Sequence, residues 1–267
     1  MERRIRKQLR LATNRQLAVN VAEYEQRGLT LTSALFQILS VDFGALGDAG
    51  RLFDLARPGT ACRLLFDRFL AAEDPIRIWD LACGRDQLGD TRCLVPLCAV
   101  LRGHANKPRR RAAAWVFGWL HGGPRERIVS SLIEVVIDRA QPPDVRGQAA
   151  ESLKYLAARR AVPALLSVLG DPEPAVRWWA AFAVGGWTNR FDKEVVSALE
   201  KLLDDDAVPE SERYSVGKEA LGVLGHMDPP GTDFRERLKA RLVPICESPS
   251  EWPEGDRDWA ATWGPLD

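Results

Sequence analysis

The residues of this chain with most chemical potential are aromatic rings set near carboxylates. Trp115 and Trp119 stand four apart, Trp178, Trp179 and Phe182 fall within five positions, and Glu151, Tyr155 and Glu219 lie in runs of similar make-up. Rings beside carboxylates serve for recognition: an aromatic face takes apolar or cationic groups and a carboxylate fixes their orientation. Machinery for reaction chemistry is missing. The histidines are His104, His121 and His226, none with an adjacent His–Glu pairing. The five cysteines (Cys62, Cys83, Cys93, Cys98, Cys246) form no C-x-x-C pair and have no histidine at zinc-site spacing. No glycine-rich phosphate loop and no G-x-S-x-G elbow is present. We therefore expect no catalytic residue, no metal and no cofactor.

Those rings need elements to hold them, and a repeat supplies them. Residues 162–186 lie over residues 95–119: Val162-Pro163 on Val95-Pro96, Arg177 on Arg110, Ala180-Ala181 on Ala113-Ala114, Gly185 on Gly118. Asp144-Val145-Arg146 and Ala149-Ala150 repeat the middle of the unit between them. A period of roughly 31–36 residues with two apolar helical runs per unit marks an α-solenoid. The fold class is all-α, an α–α superhelix. Its helix pairs are expected at 91–103 with 108–121, 125–139 with 142–157, 160–169 with 173–187, and 191–205 with 209–226, followed by a last helix over 232–247. Pro96 and Pro163 sit early in first (A) helices, and Pro143, Pro174 and Pro209 are expected at the starts of second (B) helices, where a missing N–H costs nothing. Ala113, Ala149, Ala180 and Gly217 share one register position, as close helix approach demands.

Residues 1–90 read as an irregular N-terminal helical cap, with helices near 2–27, 30–41, 46–56 and 59–73 and a short one from Asp74-Pro75 to Cys83. Residues 91–247 form the repeats and closing helix, and 248–267 an acidic tail bearing Trp259 and Trp263. The tail is read either as a docking strip, folding in cis or on a partner, or as a partly ordered end.

Lys+Arg and Asp+Glu both number 37, so net charge is zero. That disfavours a protein whose affinity rests on neutralising many phosphates. The run Lys107-Pro108-Arg109-Arg110-Arg111 keeps a local nucleic-acid contact in view, through Lys107 and Arg109. No apolar run approaches 18 residues, so neither a membrane span nor a secretory leader is expected. Scattered cysteines suit a reducing, cytoplasmic setting.

With Asp171, Pro172, Val176, Arg177 and the Ala-Ala-x-Ala-Val-Gly run of 180–185, the third unit resembles the HEAT-like repeats of the phycobilisome-lyase type. The resemblance spans about residues 91–226. It implies B helices lining a concave side and an Asp–Arg ladder between repeats. Asp171 is matched by His104 and Ala140 in the other copies, so that ladder is expected to be incomplete. By register the concave columns are Arg111, Gly147, Trp178, Ser215; then Trp115, Glu151, Phe182, Glu219; then Trp119, Tyr155, Gly186, Val223. Trp179 falls in phase with Ala112 and Gln148, as a packing residue.

The reading is a non-catalytic, protein-binding solenoid (adaptor, assembly factor or immunity-type inhibitor). It grips another protein through Arg111, Trp115, Trp119, Glu151, Tyr155, Trp178, Phe182 and Glu219. The plain alternative for any one tryptophan is packing between helices. Two further readings come with the resemblance: an alkylpurine-type DNA glycosylase with Glu151 beside concave rings, and a phycobilin lyase-like chaperone.

Overall fold

The computed structural model describes residues 69–73, 75–82, 91–119, 125–186 and 192–263. The helices expected over 2–27, 30–41 and 46–56 lie outside them, as do most of 59–73 and His121.

Among the described residues every regular element is helical: α1 (Pro75–Ala82), α2 (Thr91–Gly103), α3 (Lys107–Gly118), α4 (Arg125–Ile137), α5 (Pro143–Tyr155), α6 (Val162–Ser167), α7 (Pro174–Val184), α8 (Lys193–Glu200), α9 (Val216–Met227), α10 (Phe234–Glu247) and α11 (Glu254–Trp263). The chain divides into two compact units. The first comprises residues 1–116 and 120–124, and the second 117–119 and 125–267. Charge divides with them: the second unit carries 25 acidic against 18 basic side chains, the first 12 against 19.

In the first unit, α2 buries Leu94, Leu97 and Leu101 along one face. Arg109, at the start of α3, is only 4% exposed. Its guanidinium donates to the carbonyl oxygens of Phe69 (2.9 Å) and Ala72 and lies 2.8 Å from His104 Nε2. This corrects its sequence reading as a nucleic-acid contact, because its donors are spent on the protein's own backbone. Lys107 is exposed.

The second unit is built from helix pairs. α4 packs on α5, α6 on α7 and α8 on α9, while the B helices stack as α5 on α7 on α9. Pro143 and Pro174 sit in the first turns of α5 and α7. The apolar positions interlock in a core that includes Leu132, Val136, Val145, Leu153, Leu165, Val176, Val184, Leu199, Val216 and Leu224, all at most 1% exposed. Each such side chain contributes about 1.5–3 kcal/mol through burial. Small residues let the B helices approach: a Cβ added at Gly118 would lie 3.0 Å from Ser152 Oγ on α5, and one at Gly185 would lie 2.6 Å from Val223 on α9.

The fourth pair departs from the expected register. α9 starts at Val216 rather than near Pro209, because the acidic turn folds back over its first residues. Gly217 N–H donates to Asp205 O (2.8 Å), Val216 N–H to Ala207 O (3.0 Å), and a Cβ at Gly217 would come 2.6 Å from Leu203 O. Ser215, expected in a concave column, is instead the N-cap of α9, accepting from Lys218 N–H.

That acidic turn also changes the ladder. Arg146 clasps Asp171 with two bonds (2.6 and 3.2 Å) and donates to Val136 O. Arg177 clasps Asp205 in the same way (2.7 and 3.1 Å) while donating to the carbonyls of Asp171 and Pro172. Beyond the third repeat the aspartate of the rung is Asp205, which lies in the acidic turn.

Residues 248–263 are not a loose tail. α10 packs on α9, and α11 packs on α10. Trp259 is fully buried and its indole N–H donates to Lys218 O (3.0 Å), Lys218 pairs with Asp256, and Arg213 with Asp258 (2.9 Å). Trp263 lies against Gly222 and His226, ring to ring at 4.6 Å in the latter case. His226 is thereby placed in the last turn of α9 rather than in a loop. Acidic residues in the first turn of α11 suit its N-terminal dipole.

Candidate aromatic and carboxylate face of the second unit

The exposed ends of α3, α5, α7 and α9 bring one group of rings and charges together. Trp119 and Tyr155 stack with centroids 5.1 Å apart and planes 27° from parallel. Tyr155 is 46% exposed and Trp119 half-buried, so the tyrosine forms the open side of the pair. Glu151, one turn before Tyr155 on α5, accepts a hydrogen bond from Gln148 Nε2 and is hydrogen-bonded to the Tyr155 hydroxyl. Burial and that carboxylate raise the phenol above its ordinary value.

Deeper, α7 presents Trp178, Trp179 and Phe182. Trp178 packs on Phe182 (5.9 Å), Trp179 (4.8 Å) and Tyr214 (5.6 Å). It is buried, with 4% exposure, and its indole N–H has no hydrogen-bond partner. Tyr214 donates to Glu219 Oε2 at 3.1 Å. Glu219 itself is fully buried, and its other oxygen has no partner. Burial pushes this carboxyl up to about 7, against the opposing pull of Tyr214 and of the Lys154 ammonium. Burial likewise lowers Lys154 to about 8, with Glu219 and Glu151 resisting. The Lys154 ammonium sits 3.1 Å from the centroid of Phe182, and its stem runs across Gly186, where an added Cβ would meet Cγ at 2.6 Å.

The expected contact residues are thus only partly brought together. Arg111 and Trp115 belong to the first unit and are half-buried. Trp119, Glu151, Tyr155 and Phe182 in the second unit retain exposed surface. Trp178 and Glu219 lie in the cluster but do not reach solvent, so neither is a direct contact residue in this conformation. The roles of the two tryptophans are exchanged relative to expectation. Trp179 is the more exposed, although its ring also fills the space over Gly147, 2.6 Å from where a Cβ would stand.

Sequence reasoning missed Lys154 and Tyr214. For Lys154 a signal existed: it occupies the register position held by Gly118, Gly185 and Gly222 in the other copies. A long cation where three repeats have glycine has a reason other than packing. For Tyr214 no signal existed, because the turn before α9 was assigned to helix.

Among the described residues no group of three or more His, Cys, Asp or Glu side chains converges as metal ligands. No described helix is long and apolar enough to cross a membrane. Cys98 and Cys246 are free thiols, one buried and one exposed.

The family described as HEAT repeats matches residues 129–217, about a third of the chain. Those residues run from within α4 to the start of α9, the stretch whose helices carry the stack, both ladder rungs and most of the ring cluster. That match supports HEAT-like repeats over these residues, and the packing of α4 to α9 is consistent with a HEAT-repeat solenoid. No curated protein matches the chain.

Proposed function

We propose that this protein is a non-catalytic binding solenoid that grips a protein partner through the open part of its B-helix face. One observation carries the reading: Tyr155, stacked on Trp119, stands exposed beside the carboxylate of Glu151. An exposed tyrosine stacked on a half-buried tryptophan gives a contact site rigid apolar surface to use. HEAT repeats are scaffolds that often mediate protein interactions, which agrees with this use. Trp179 and Phe182 extend the contact, and the buried Trp178, Tyr214 and Glu219 set the shape of its floor. The likeness to the phycobilisome-lyase type rests on Asp171, Pro172, Val176, Arg177 and the run 180–185, residues that serve the ladder and the helix packing, so it adds no reaction. The adaptor, assembly-factor and immunity-type roles all remain uses of this one face.

The test is affinity capture from the native cell with the full chain, comparing wild type with Tyr155→Ala and Trp119→Ala. A specific partner retained by wild type and lost by both variants, with unchanged melting, supports the reading. Equal retention by well-folded variants overturns it.

A further inference from the structure

The last helix reproduces the B helix of the third repeat at several levels. Arg257-Asp258-Trp259-Ala260-Ala261 falls on Arg177-Trp178-Trp179-Ala180-Ala181, with an arginine, a tryptophan and two alanines at one spacing. The helix starts coincide as well. The N–H groups of Asp256 and Arg257 donate to Pro253 O (both 3.1 Å), as those of Val176 and Arg177 do to Glu173 O (3.1 and 3.3 Å). The arginines act alike: Arg257 donates to Trp252 O (2.7 Å) and Arg177 to Pro172 O (3.1 Å), each five residues back. Each tryptophan turns to the preceding B helix. Trp179 fills the space over Gly147 of α5, and Trp259 donates its indole N–H to Lys218 O of α9. Ala180 and Ala260 are both buried.

The place of α11 in the stack agrees with this alignment. Gly118 meets Ser152 of α5, Gly185 meets Val223 of α9, and Gly222 meets Trp263 of α11, so each glycine touches the next B helix along the array. α10 packs on α11 as the A helices α4, α6 and α8 pack on their partners. The junction also keeps the polarity of the ladder, with cations on the earlier repeat and aspartates on the later one: Lys218 pairs with Asp256, and Arg213 with Asp258 (2.9 Å). The differences lie on the outer side. Ala181 is fully buried whereas Ala261 is exposed, as are Glu254 and Arg257. A polar outer side of that kind suits the last helix pair of an array.

We propose that α10 and α11 form a fifth repeat that caps the stack. α11 occupies the flank of α9 where a following helix pair would pack, and it thereby keeps that flank from a second copy of this chain. The inference is independent of the protein-binding reading, because the flank along Lys218, Gly222 and His226 is separate from the open side that carries Tyr155.

Native-state hydrogen exchange and sedimentation velocity on the full-length chain test both parts. In wild type the amides of α10 and α11 are expected to exchange together, at rates within about tenfold of those in α8, and sedimentation not to depend on concentration. Fast exchange of α11 while α10 stays protected overturns the repeat and makes α11 an appended strip. Gly222→Leu puts a side chain where Trp263 sits, on a helix that favours leucine over glycine, and Trp259→Ala removes the anchor. Each is expected to speed exchange in α11 at least about tenfold with α4 to α7 still protected, and to make sedimentation rise with concentration. Glu254→Gln, on the exposed side of α11, leaves both measurements at wild type. Release of α11 without self-association overturns the capping role, and so does wild-type self-association that Trp259→Ala abolishes. Unchanged protection of α11 in both variants overturns its seat on α9. The wild-type exchange pattern decides the repeat even where a variant unfolds.

Discussion

Two regions of the second unit bury charge, and they do so in opposite ways. Along the turns, Arg146 and Arg177 each meet an aspartate with two bonds and spend further donors on carbonyl oxygens. Burial alone would raise Asp171, but its bonds from Arg146 and the Glu173 N–H hold its carboxyl below the ordinary value. On the B-helix face, Glu219 is buried just as completely, yet one oxygen lacks a partner and its carboxyl is raised. The array thus balances its charges along the turns where copies stack and leaves Glu219, buried beneath the B-helix face, with one oxygen unpartnered. Unbalanced buried charge costs stability, and a fold keeps it most readily where binding or regulation makes use of it.

The comparison is broken most forcefully at the ladder. Arg146→Ala leaves Asp171 charged and buried without its clasp, and chemical denaturation is expected to show a loss of about 3–5 kcal/mol. A loss below about 1 kcal/mol would mean that the ladder does not hold the stack.

Glu219→Gln tests the opposite region. A carboxyl whose folded value is about 7, above its ordinary 4.5, favours folding fully below pH 4.5 and loses that contribution as pH rises through 7. The groups acting on it are Tyr214 and Glu212 from the preceding turn and Lys154 from α5. Gln keeps a partner for Tyr214 and carries no charge. The variant should therefore gain on wild type between pH 5 and pH 8, by an amount on the order of 2 kcal/mol. Lys154, lowered to about 8, begins to recover its own contribution only above that window. Parallel melting curves for the two proteins from pH 5 to 8 would show that Glu219 is as well balanced as Asp171.

Arg177→Ala sharpens the contrast within the ladder itself. Its pair with Asp205 keeps about a sixth of each side chain exposed, so solvent screens it and the expected loss is smaller, about 1–2 kcal/mol. The smallest effect on stability should come from Tyr155→Ala. Removing one half of an open ring stack costs under about 1 kcal/mol, which thermal melting can verify, even though binding depends on it.

What was legible in the sequence follows the same division. The repeat could be read because stacking imposes short side chains at fixed positions: Ala149 and Ala180 are fully buried where the register placed them. Pro143 and Pro174 marked helix starts because their fixed backbone angle suits a first turn. Pro209 misled, since a proline also suits a turn, and hydrogen bonds from Val216 and Gly217 back to the acidic segment decide where α9 begins. The face was legible only as a set of columns. Register gives the direction of a side chain but not its depth, so Trp178 and Glu219 were placed correctly along the stack while their burial was not foreseen. The ladder's second rung escaped because Asp205 reaches Arg177 through a turn with no repeat register. Docking through Trp259 and Trp263 was one of two readings of the tail; the seat of Trp263 depends on Gly222, whose place in the glycine register marks a close approach without saying what approaches.

The ladder has one more consequence, concerning which parts of this molecule are interchangeable. Asp171 and Asp205 play equivalent roles toward the arginine of the preceding repeat. Excision of one whole repeat, from Asp171 to Asp204, would bring Arg146 opposite Asp205 and leave an unbroken, shorter chain of couplings, with stability falling roughly by one repeat's share. The outward face has no such tolerance. Lys154, Phe182 and Glu219 come from three successive B helices, and dropping the middle one removes the ring on which the lysine rests. Duplication and loss of repeats can thus change the length of such an array gradually, whereas what it recognises changes all at once.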